Sequence, residues 1–175
     1  MNQKTWLGLG RLLAVVAIAM LVATPALAQE TIKIGFFAPI TGPVAADGAS
    51  AKQSVELAVK DLNAAGGIKG KKIELIVYDD RLNPQEAVAI ANKLIEKDQV
   101  VGVVSGSYSG PTRVTAPIFA KAGMPMVAGY AVHPDVTKAG ESNFRNGFLG
   151  EVEGGAAGEY AVKALKSKSP KSLSI

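Results

Sequence analysis

Short apolar runs alternate with longer amphipathic stretches from Thr31 onward. Short apolar runs bounded by turn residues are typical of buried strands, and apolar residues that recur every three or four positions are typical of helices. The pattern predicts strands over residues 32–40, 72–80, 100–105 and 124–130. Because these strands are almost continuously apolar and alternate with helices, we expect a parallel sheet covered on both faces, which is an α/β fold.

A helix is predicted over residues 49–67. Apolar side chains at alternating steps of four and three form one face of it. Two glycines end it, because glycine adopts the left-handed backbone conformation without a Cβ clash. The basic segment 69–72 is predicted to be a solvated hairpin or loop. The predicted apolar face comprises Ala51, Val55, Ala58, Leu62 and Ala65, and the terminal glycines are Gly66 and Gly67.

The next helix has the clearest start signal in the chain. Asn83 can cap it, Pro84 suits its first turn, and Glu86 lies three residues after Asn83, as in a capping box. Its predicted inward residues are Ala87, Ala91 and Leu94. Later elements are predicted as a helix over 110–123 kinked at Pro117, a helical turn near 133–140, an extended segment over 142–148, a helix over 151–168 and the opening of a strand over 171–175.

The loops that follow the strands are the candidate site, because ligands of parallel sheets bind beyond the carboxyl ends of the strands. In the third loop, Ser109, Gly110 and Pro111 open a helix whose first-turn amides lack intrahelical partners and can hold an anion. A carboxylate there would also receive a hydrogen bond from the Ser109 hydroxyl. The equally supported alternative is that Ser109 only caps its own helix. The four loops span residues 39–48, 78–84, 105–113 and 128–135.

Composition argues against an enzyme, a metal site and a cofactor. The chain has no cysteine and a single histidine, His133, so thiolate chemistry and paired histidine ligands are excluded. Segment 106–110 has tyrosine at its centre, where a nucleophile elbow has serine, and a Ser–His–Asp triad would have to use His133. Asp79 and Asp80 could hold a cation, but loop hydrogen bonds are the favoured role. No basic stripe with interleaved aromatic residues predicts binding to nucleic acid.

The first 28 residues have the three parts of a secretory signal peptide in order. Lys4 and Arg11 precede a 12-residue apolar run, and the small residues around Leu27 predict cleavage after Ala28. Loss of the two cations lowers the formal net charge from +4 to +2. We therefore expect a periplasmic protein.

Three stretches carry a resemblance to a known family: "IKIGFFAPITGPVAADG", "LNAAGGIKGKKIELIVYDD" and "GMPMVAGYAVHPDVT". With them, nearly all of residues 30–175 resembles the periplasmic solute-binding proteins of branched-chain amino acid type ABC transporters. The resemblance implies the type I periplasmic binding protein fold, with two Rossmann-like lobes that close on a ligand. It also implies that residues 29–148 form the first lobe, that 149–175 begin the second, and that the sequence is incomplete.

The function implied by this resemblance is capture of a small solute for an inner-membrane ABC permease, by a protein that is a monomer at full length and uses no cofactor. The solute could be an amino acid, an aromatic or other organic acid, or an amide. The alternative is a ligand-sensing domain of the same fold that is coupled to a signalling protein.

The resemblance also implies the ligand-binding residues. In the family, the loop after the third strand holds the ligand carboxylate through a serine, which Ser109 matches. The loop after the fourth strand contributes backbone groups and, in amino acid binders, a threonine hydroxyl near the ammonium. Here Val132 stands where that hydroxyl would be, and Tyr130 replaces a small residue. The full predicted set is Asp47, Ser107, Tyr108, Ser109, Thr112, Gly129, Tyr130, Ala131 and Val132.

Overall fold

The computed structural model describes residues 31–168, and the signal peptide predicted over 1–28 and the strand predicted over 171–175 lie outside them. The described part holds a five-stranded, all-parallel sheet in the order β2-β1-β3-β4-β5. This confirms the predicted α/β class. The strands are β1 (Ile32–Ala38), β2 (Ile73–Asp79), β3 (Gly102–Ser105), β4 (Met126–Ala128) and β5 (Asn143–Arg145).

Helices connect the strands, as predicted. They are α1 (Ala45–Ala64), α2 (Pro84–Glu96), α3 (Ser109–Lys121), α4 (Asp135–Lys138) and α5 (Gly150–Lys168). Several strands are shorter than predicted, since β1 ends at Ala38 instead of position 40, β3 begins at Gly102 instead of 100, and β4 spans only Met126–Ala128 of the predicted 124–130. Two further differences concern α1 and the last strand. Helix α1 begins at Ala45 instead of position 49, and the segment predicted only as extended pairs with β4 as a fifth strand. No helix within residues 31–168 has the length and apolar character needed to cross a membrane.

One face of the sheet carries the main core, under α2 and α3. Phe37, Leu94, Phe119 and Met126 are fully buried there, and the Phe37 and Phe119 rings stack with centroids 6.3 Å apart. The predicted inward residues of α2, which are Ala87, Ala91 and Leu94, are all 0% exposed. The sequence prediction for this helix is therefore confirmed.

The opposite face carries an apolar row that the strand register aligns. Helix α1 lies over the β1 and β2 end of this face, whereas Val127 and Phe144 at the other end are 39% and 53% exposed. The row consists of Val77, Phe36, Val104, Val127 and Phe144.

The apolar face predicted for α1 is only partly buried, and only in its first half. Ala51 and Val55 are partly buried, but Leu62 is 46% exposed, and Ala58 and Ala65 are exposed as well. The last turn of α1 is nevertheless fixed to the sheet, because the Asn63 side chain pairs with both backbone groups of Ile73, the first residue of β2, at 2.7 and 2.8 Å. The side of the helix that turns toward the sheet there carries Val59 and Asn63, which are partly buried, and not Leu62.

The predicted end signals are present at α1 and α2, but the capping box is not closed, because the N–H of Asn83 donates to the Asp80 carbonyl at 2.7 Å and not to Glu86. The Asn83 side chain accepts hydrogen bonds from the backbone N–H groups of Gln85 and Glu86, at 2.8 and 3.2 Å, directly before Pro84. Gly66 and Gly67 follow α1 with φ of 105° and 78°. Helix α3 continues through Pro117 to Lys121. An isolated bridge between Ile68 and Lys71 closes the predicted basic hairpin.

Candidate functional site

The loops after β2, β3 and β4 begin side by side at the carboxyl edge of the sheet, as predicted. Backbone hydrogen bonds fix these starting points: Asp80 N–H donates to the Ala38 carbonyl at 3.1 Å, and Gly106 N–H donates to the Phe37 carbonyl at 2.9 Å. Gly129 N–H donates in the same way to the carbonyl of Ser105 at 2.9 Å. The end of β1 thus anchors two loops, and the end of β3 anchors the third.

Ser109 opens α3 and connects two of these loops. Its Oγ accepts hydrogen bonds from the backbone N–H groups of Val132 and His133, at 3.2 and 3.3 Å. Tyr108 is the residue before the helix and makes no side-chain cap bond. The alternative in which Ser109 caps its own helix is therefore not what the structure has. Because both partners are N–H donors, the hydrogen of the Ser109 hydroxyl is left for another acceptor.

Two tyrosines and an aspartate lie together beside Ser109. The Tyr108 hydroxyl donates to Asp47 Oδ2 at 2.5 Å, and this hydrogen bond raises the pKa of Tyr108 above its ordinary value. The Tyr108 and Tyr130 rings are tilted by 50° with centroids 5.7 Å apart. Tyr130 is 40% exposed. Three predicted site residues, from the first turn of α1 and from the loops after β3 and β4, are thus in one place.

Two other predicted residues, Ser107 and Thr112, are fully buried. The Thr112 hydroxyl lies 2.8 Å from Ser105 Oγ and donates to the carbonyl of Tyr108 at 2.8 Å. These side chains present no surface to a solute and instead shape residues 105–109, the segment we call the binding loop. The sequence predicted that Ser107 and Thr112 contact the solute directly, and their burial corrects this prediction.

Hydrogen bonds to α3 and α5 fix the loop after β4 at Val132. Ala131 is buried, whereas Gly129 and Val132 are exposed, the latter at 37%. Ser109 binds the N–H of Val132, and the N–H of Gly150 at the start of α5 donates to the Val132 carbonyl at 3.1 Å. The Val132 side chain carries no hydrogen-bonding group, so this loop offers a solute apolar surface.

A cavity of about 330 Å³ lies between α1 and the sheet, beside the binding loop. Gly106 is required here, because a Cβ on it would lie 2.6 Å from Cζ of the Phe36 ring. Among the lining residues, only Gly129 and Tyr130 belong to the predicted site, and the position of Ala51 and Val55 on the predicted apolar face of α1 is the signal by which the cavity could have been found. The lining consists of Phe36, Ala51, Ser54, Val55, Val104, Ser105, Gly106, Gly129 and Tyr130.

Residues 79–83, which we call the acidic turn, connect the end of β2 to α2 at the same edge of the sheet. Asp79 Oδ1 accepts from the N–H groups of Ile40 and Arg81, both at 2.9 Å, and its Oδ2 accepts from the Thr41 hydroxyl. Burial acts to raise the pKa of Asp79, but these hydrogen bonds outweigh it and hold the pKa below the ordinary value. Asp80 is fully buried, and this burial raises its pKa. The predicted loop hydrogen bonding is confirmed for this pair.

The single histidine is occupied locally. His133 Nδ1 accepts the backbone N–H of Asp135 at 3.2 Å and lies 3.5 Å from Asp135 Oδ2. Ser109 contacts the backbone of His133 and not its imidazole. The hydrogen bonds that the structure gives these two residues therefore do not form a Ser–His relay.

Comparisons with known proteins agree with this geometry. The family profile described as "Periplasmic binding protein" matches residues 31–172. The leucine-, isoleucine-, valine-, threonine- and alanine-binding protein of Pseudomonas aeruginosa is 36% identical over 162 residues, which are 92% of this chain and 43% of that protein. The chain thus spans less than half the length of this relative.

Solved structures show the same fold. The branched-chain amino acid transporter substrate binding protein LivJ of Streptococcus pneumoniae, in complex with isoleucine, has a TM-score of 0.66 and 35% identity over 69% of this chain and 34% of that one. A solute binding protein of an ABC transporter from Rhodopseudomonas palustris BisB5, in complex with 3,4-dihydroxybenzoic acid, has a TM-score of 0.63 and 27% identity, over 68% and 32%. These likenesses confirm the expected type I fold, and the chain belongs to the periplasmic binding protein family.

Proposed function

We propose that the protein is the substrate-binding protein of an ABC transporter, and that it binds a small solute without transforming it. The observation that carries this proposal is the grouping at the carboxyl edge of the sheet. There the Ser109 hydroxyl, whose hydrogen its two N–H partners do not use, and the first turn of α3 closely follow Ser105 and Gly106, which line an apolar cavity of about 330 Å³. Concave apolar sites with a few convergent polar groups are the usual form of solute sites.

The solute has a carboxylate, or an equivalent acceptor oxygen, and an apolar or aromatic body. Ser109 would donate to the carboxylate, and the positive end of the α3 dipole would favour its charge without a cationic side chain. The body would face the exposed ring of Tyr130 and the side chain of Val132. These contacts suit a leucine-like side chain and a benzoate ring equally well.

Two observations support including aromatic acids beside amino acids. Val132 cannot accept a hydrogen bond from an ammonium group. The Asp47 carboxylate, an acidic group of the site, already accepts from the Tyr108 hydroxyl. The related LivJ protein was solved with isoleucine, whereas the related solute binding protein was solved with a dihydroxybenzoic acid. Both solute classes therefore belong in the first test.

The lobe arrangement follows from the same proposal. Residues 29–148 would form the first lobe, and 149–175 would begin the second, which supplies the opposite wall of the cleft. The exposure of Val152, Tyr160 and Val162 on α5 supports this division, because these apolar side chains need a further partner. The protein would act as a periplasmic monomer, exported by a cleaved signal peptide, and would present the closed form to an inner-membrane permease. The transporter descriptions of both solved relatives favour this role over a signalling receptor.

A thermal-shift screen of the full-length protein tests the proposal. The arms are leucine, isoleucine, valine, 3,4-dihydroxybenzoate, benzoate, and benzamide as the uncharged match of benzoate. A true solute at 100 times its Kd adds about 2.7 kcal/mol to the free energy of unfolding, which is readily seen as a higher Tm. Chromatography of the recovered solute checks that it is unchanged. A flat response to every arm, or a converted product, would contradict the proposal.

A further inference from the structure

Two polar atoms in the interior of the site have no hydrogen-bond partner among the described residues. They are Oδ2 of Asp80 and Oγ of Ser107, and both residues are 0% exposed. Buried polar atoms are nearly always paired, because an unpaired one loses its bonds to water without replacement. Asp80 belongs to the acidic turn and Ser107 to the binding loop, so the two atoms come from different loops.

The sheet order explains why these two loops approach each other. Strand β1 lies between β2 and β3, so the loops that follow β2 and β3 leave the sheet on either side of the end of β1. Asp80 N–H is bonded to the carbonyl of Ala38, and Gly106 N–H to the carbonyl of Phe37, the residue before it. The Ser107 hydroxyl lies close enough to the Asp80 carboxyl to lower the pKa of that group, against the larger effect of burial.

The acidic turn has an unfavourable backbone that Asp80 helps to hold. Arg81 and Leu82 both have positive φ, of 50° and 60°, a region that residues with a Cβ adopt rarely. Oδ1 of Asp80 accepts the N–H of Leu82 at 2.9 Å. One carboxyl oxygen of Asp80 thus fixes its own turn, while the other, Oδ2, is buried and has no such bond.

Ser107 stands at the centre of the binding loop. Its carbonyl accepts from the Thr112 hydroxyl at 3.3 Å, and its N–H donates to Ser105 Oγ at 3.3 Å. Tyr108 and Ser109 follow it directly. A shift of Ser107 would therefore move the hydroxyls that we assign to the solute and to Asp47.

We propose that Asp80 is a positioning residue for solute binding: its Oδ2 accepts a hydrogen bond from the Ser107 hydroxyl and so locks the binding loop to the acidic turn. This proposal rests on the proposed function only in naming the locked segment as the one that binds solute. The link between the loops can be tested without any solute.

The first experiment is amide hydrogen exchange on the full-length protein without solute. Asp80→Ala and Ser107→Ala should each raise exchange by about tenfold at the amides of both loops, since loss of one buried hydrogen bond corresponds to a factor of this order. The matched control is Asp79→Ala, which removes the bonds from Ile40, Thr41 and Arg81 but keeps Asp80, and should raise exchange at residues 40–44 and at Arg81 but not at 105–109. Unchanged exchange at 105–109 in Asp80→Ala would overturn the proposal. If Asp80→Ala does not fold, Ser107→Ala decides the same question from exchange at residues 79–83.

The second experiment measures the Kd for leucine and for 3,4-dihydroxybenzoate. Asp80→Ala should weaken the binding of whichever probe the wild type binds by about tenfold. Asp80→Asn should restore it to within about threefold, because its oxygen can accept from Leu82 and its NH₂ can donate to Ser107 Oγ. The combined Asp80→Ala and Ser107→Ala variant should be no weaker than either single variant. Additive losses, or no rescue by Asp80→Asn, would contradict positioning. Failure of the wild type to bind any probe would contradict the proposed function instead, and the exchange result would still decide the link.

Discussion

Replacement of Ser109 by alanine is the most direct test of how the site works, because this side chain has two separate roles. Its Oγ accepts the N–H groups of Val132 and His133 at 3.2 and 3.3 Å. Its remaining hydroxyl hydrogen is assigned to the solute carboxylate. Ser109→Ala removes both roles, and each has a different expected size and a different readout.

The effect on stability should be small. Both bonds are longer than the usual 2.9–3.0 Å for an N–H to oxygen hydrogen bond, so we take the lower end of the usual range for each, about 0.5 kcal/mol. Their loss should lower the free energy of unfolding by roughly 1 kcal/mol. The effect on affinity should be larger, because a hydrogen bond to a charged carboxylate contributes about 1.5–3 kcal/mol, which corresponds to roughly 10- to 150-fold in Kd.

Titration calorimetry and urea unfolding of the same full-length variants separate the two roles. Ser50→Ala, at an exposed position of α1, is the control for loss of a serine hydroxyl elsewhere and should leave Kd unchanged. A Ser109→Ala protein that loses stability but keeps the wild-type Kd would show that Ser109 only ties the two loops together. That result would refute its assignment as the donor to the solute.

Three further predictions concern the rest of the chain. Gly106→Ala should destabilise the protein by roughly 1–3 kcal/mol in urea unfolding, because the added Cβ would lie 2.6 Å from the Phe36 ring; wild-type stability would contradict the packing. Burial raises the pKa of Asp80 in the folded state above the ordinary value of 3.8, so ionisation of this carboxyl opposes folding. The free energy of unfolding should therefore be highest below pH 3.8 as far as Asp80 is concerned, and this contribution should be lost as the pH rises through the raised pKa. The Asp80→Asn variant should not show this loss. Curves of unfolding free energy against pH that run parallel for the wild type and the variant would contradict the prediction. Mass spectrometry of exported protein should find a chain beginning at Gln29, and retention of Trp6 would exclude the predicted cleavage.

The parts of the fold that the sequence predicts correctly are those that depend on neighbouring residues. Asn83 caps its helix with neighbouring backbone groups, and Gly66 and Gly67 take the positive φ that ends α1, so both depend only on adjacent residues. The parallel sheet follows from the alternation of strands and helices. Leu62 shows where this reasoning stops, because periodicity identifies the residues that share a face but not which side of the helix turns toward the sheet; in the second half of α1 that side carries Val59 and Asn63 instead.

The site is less predictable because its contacts join distant residues. The amides bonded to Ser109 Oγ lie 23 and 24 residues further along the chain, and Tyr108 bonds to Asp47 over 61 residues. A loop sequence shows that a serine is available at a helix start, but only the tertiary structure shows which groups it meets. For the same reason, the sequence does not show that Asp80 and Ser107 are buried side by side.

The bonds made by Ser109 also limit what the loop after β4 can offer to a solute. The N–H groups of Val132 and His133 are both directed to Ser109 Oγ, so neither is left to bind a carboxylate. Under the proposed function, the polar recognition from these two loops then comes from the Ser109 hydroxyl and the first-turn amides of α3. The loop after β4 adds the open face of Tyr130 and the Val132 side chain. A solute held in this way has its acceptor oxygen at one end and an apolar body at the other, which is why benzoate and leucine are the informative pair to compare.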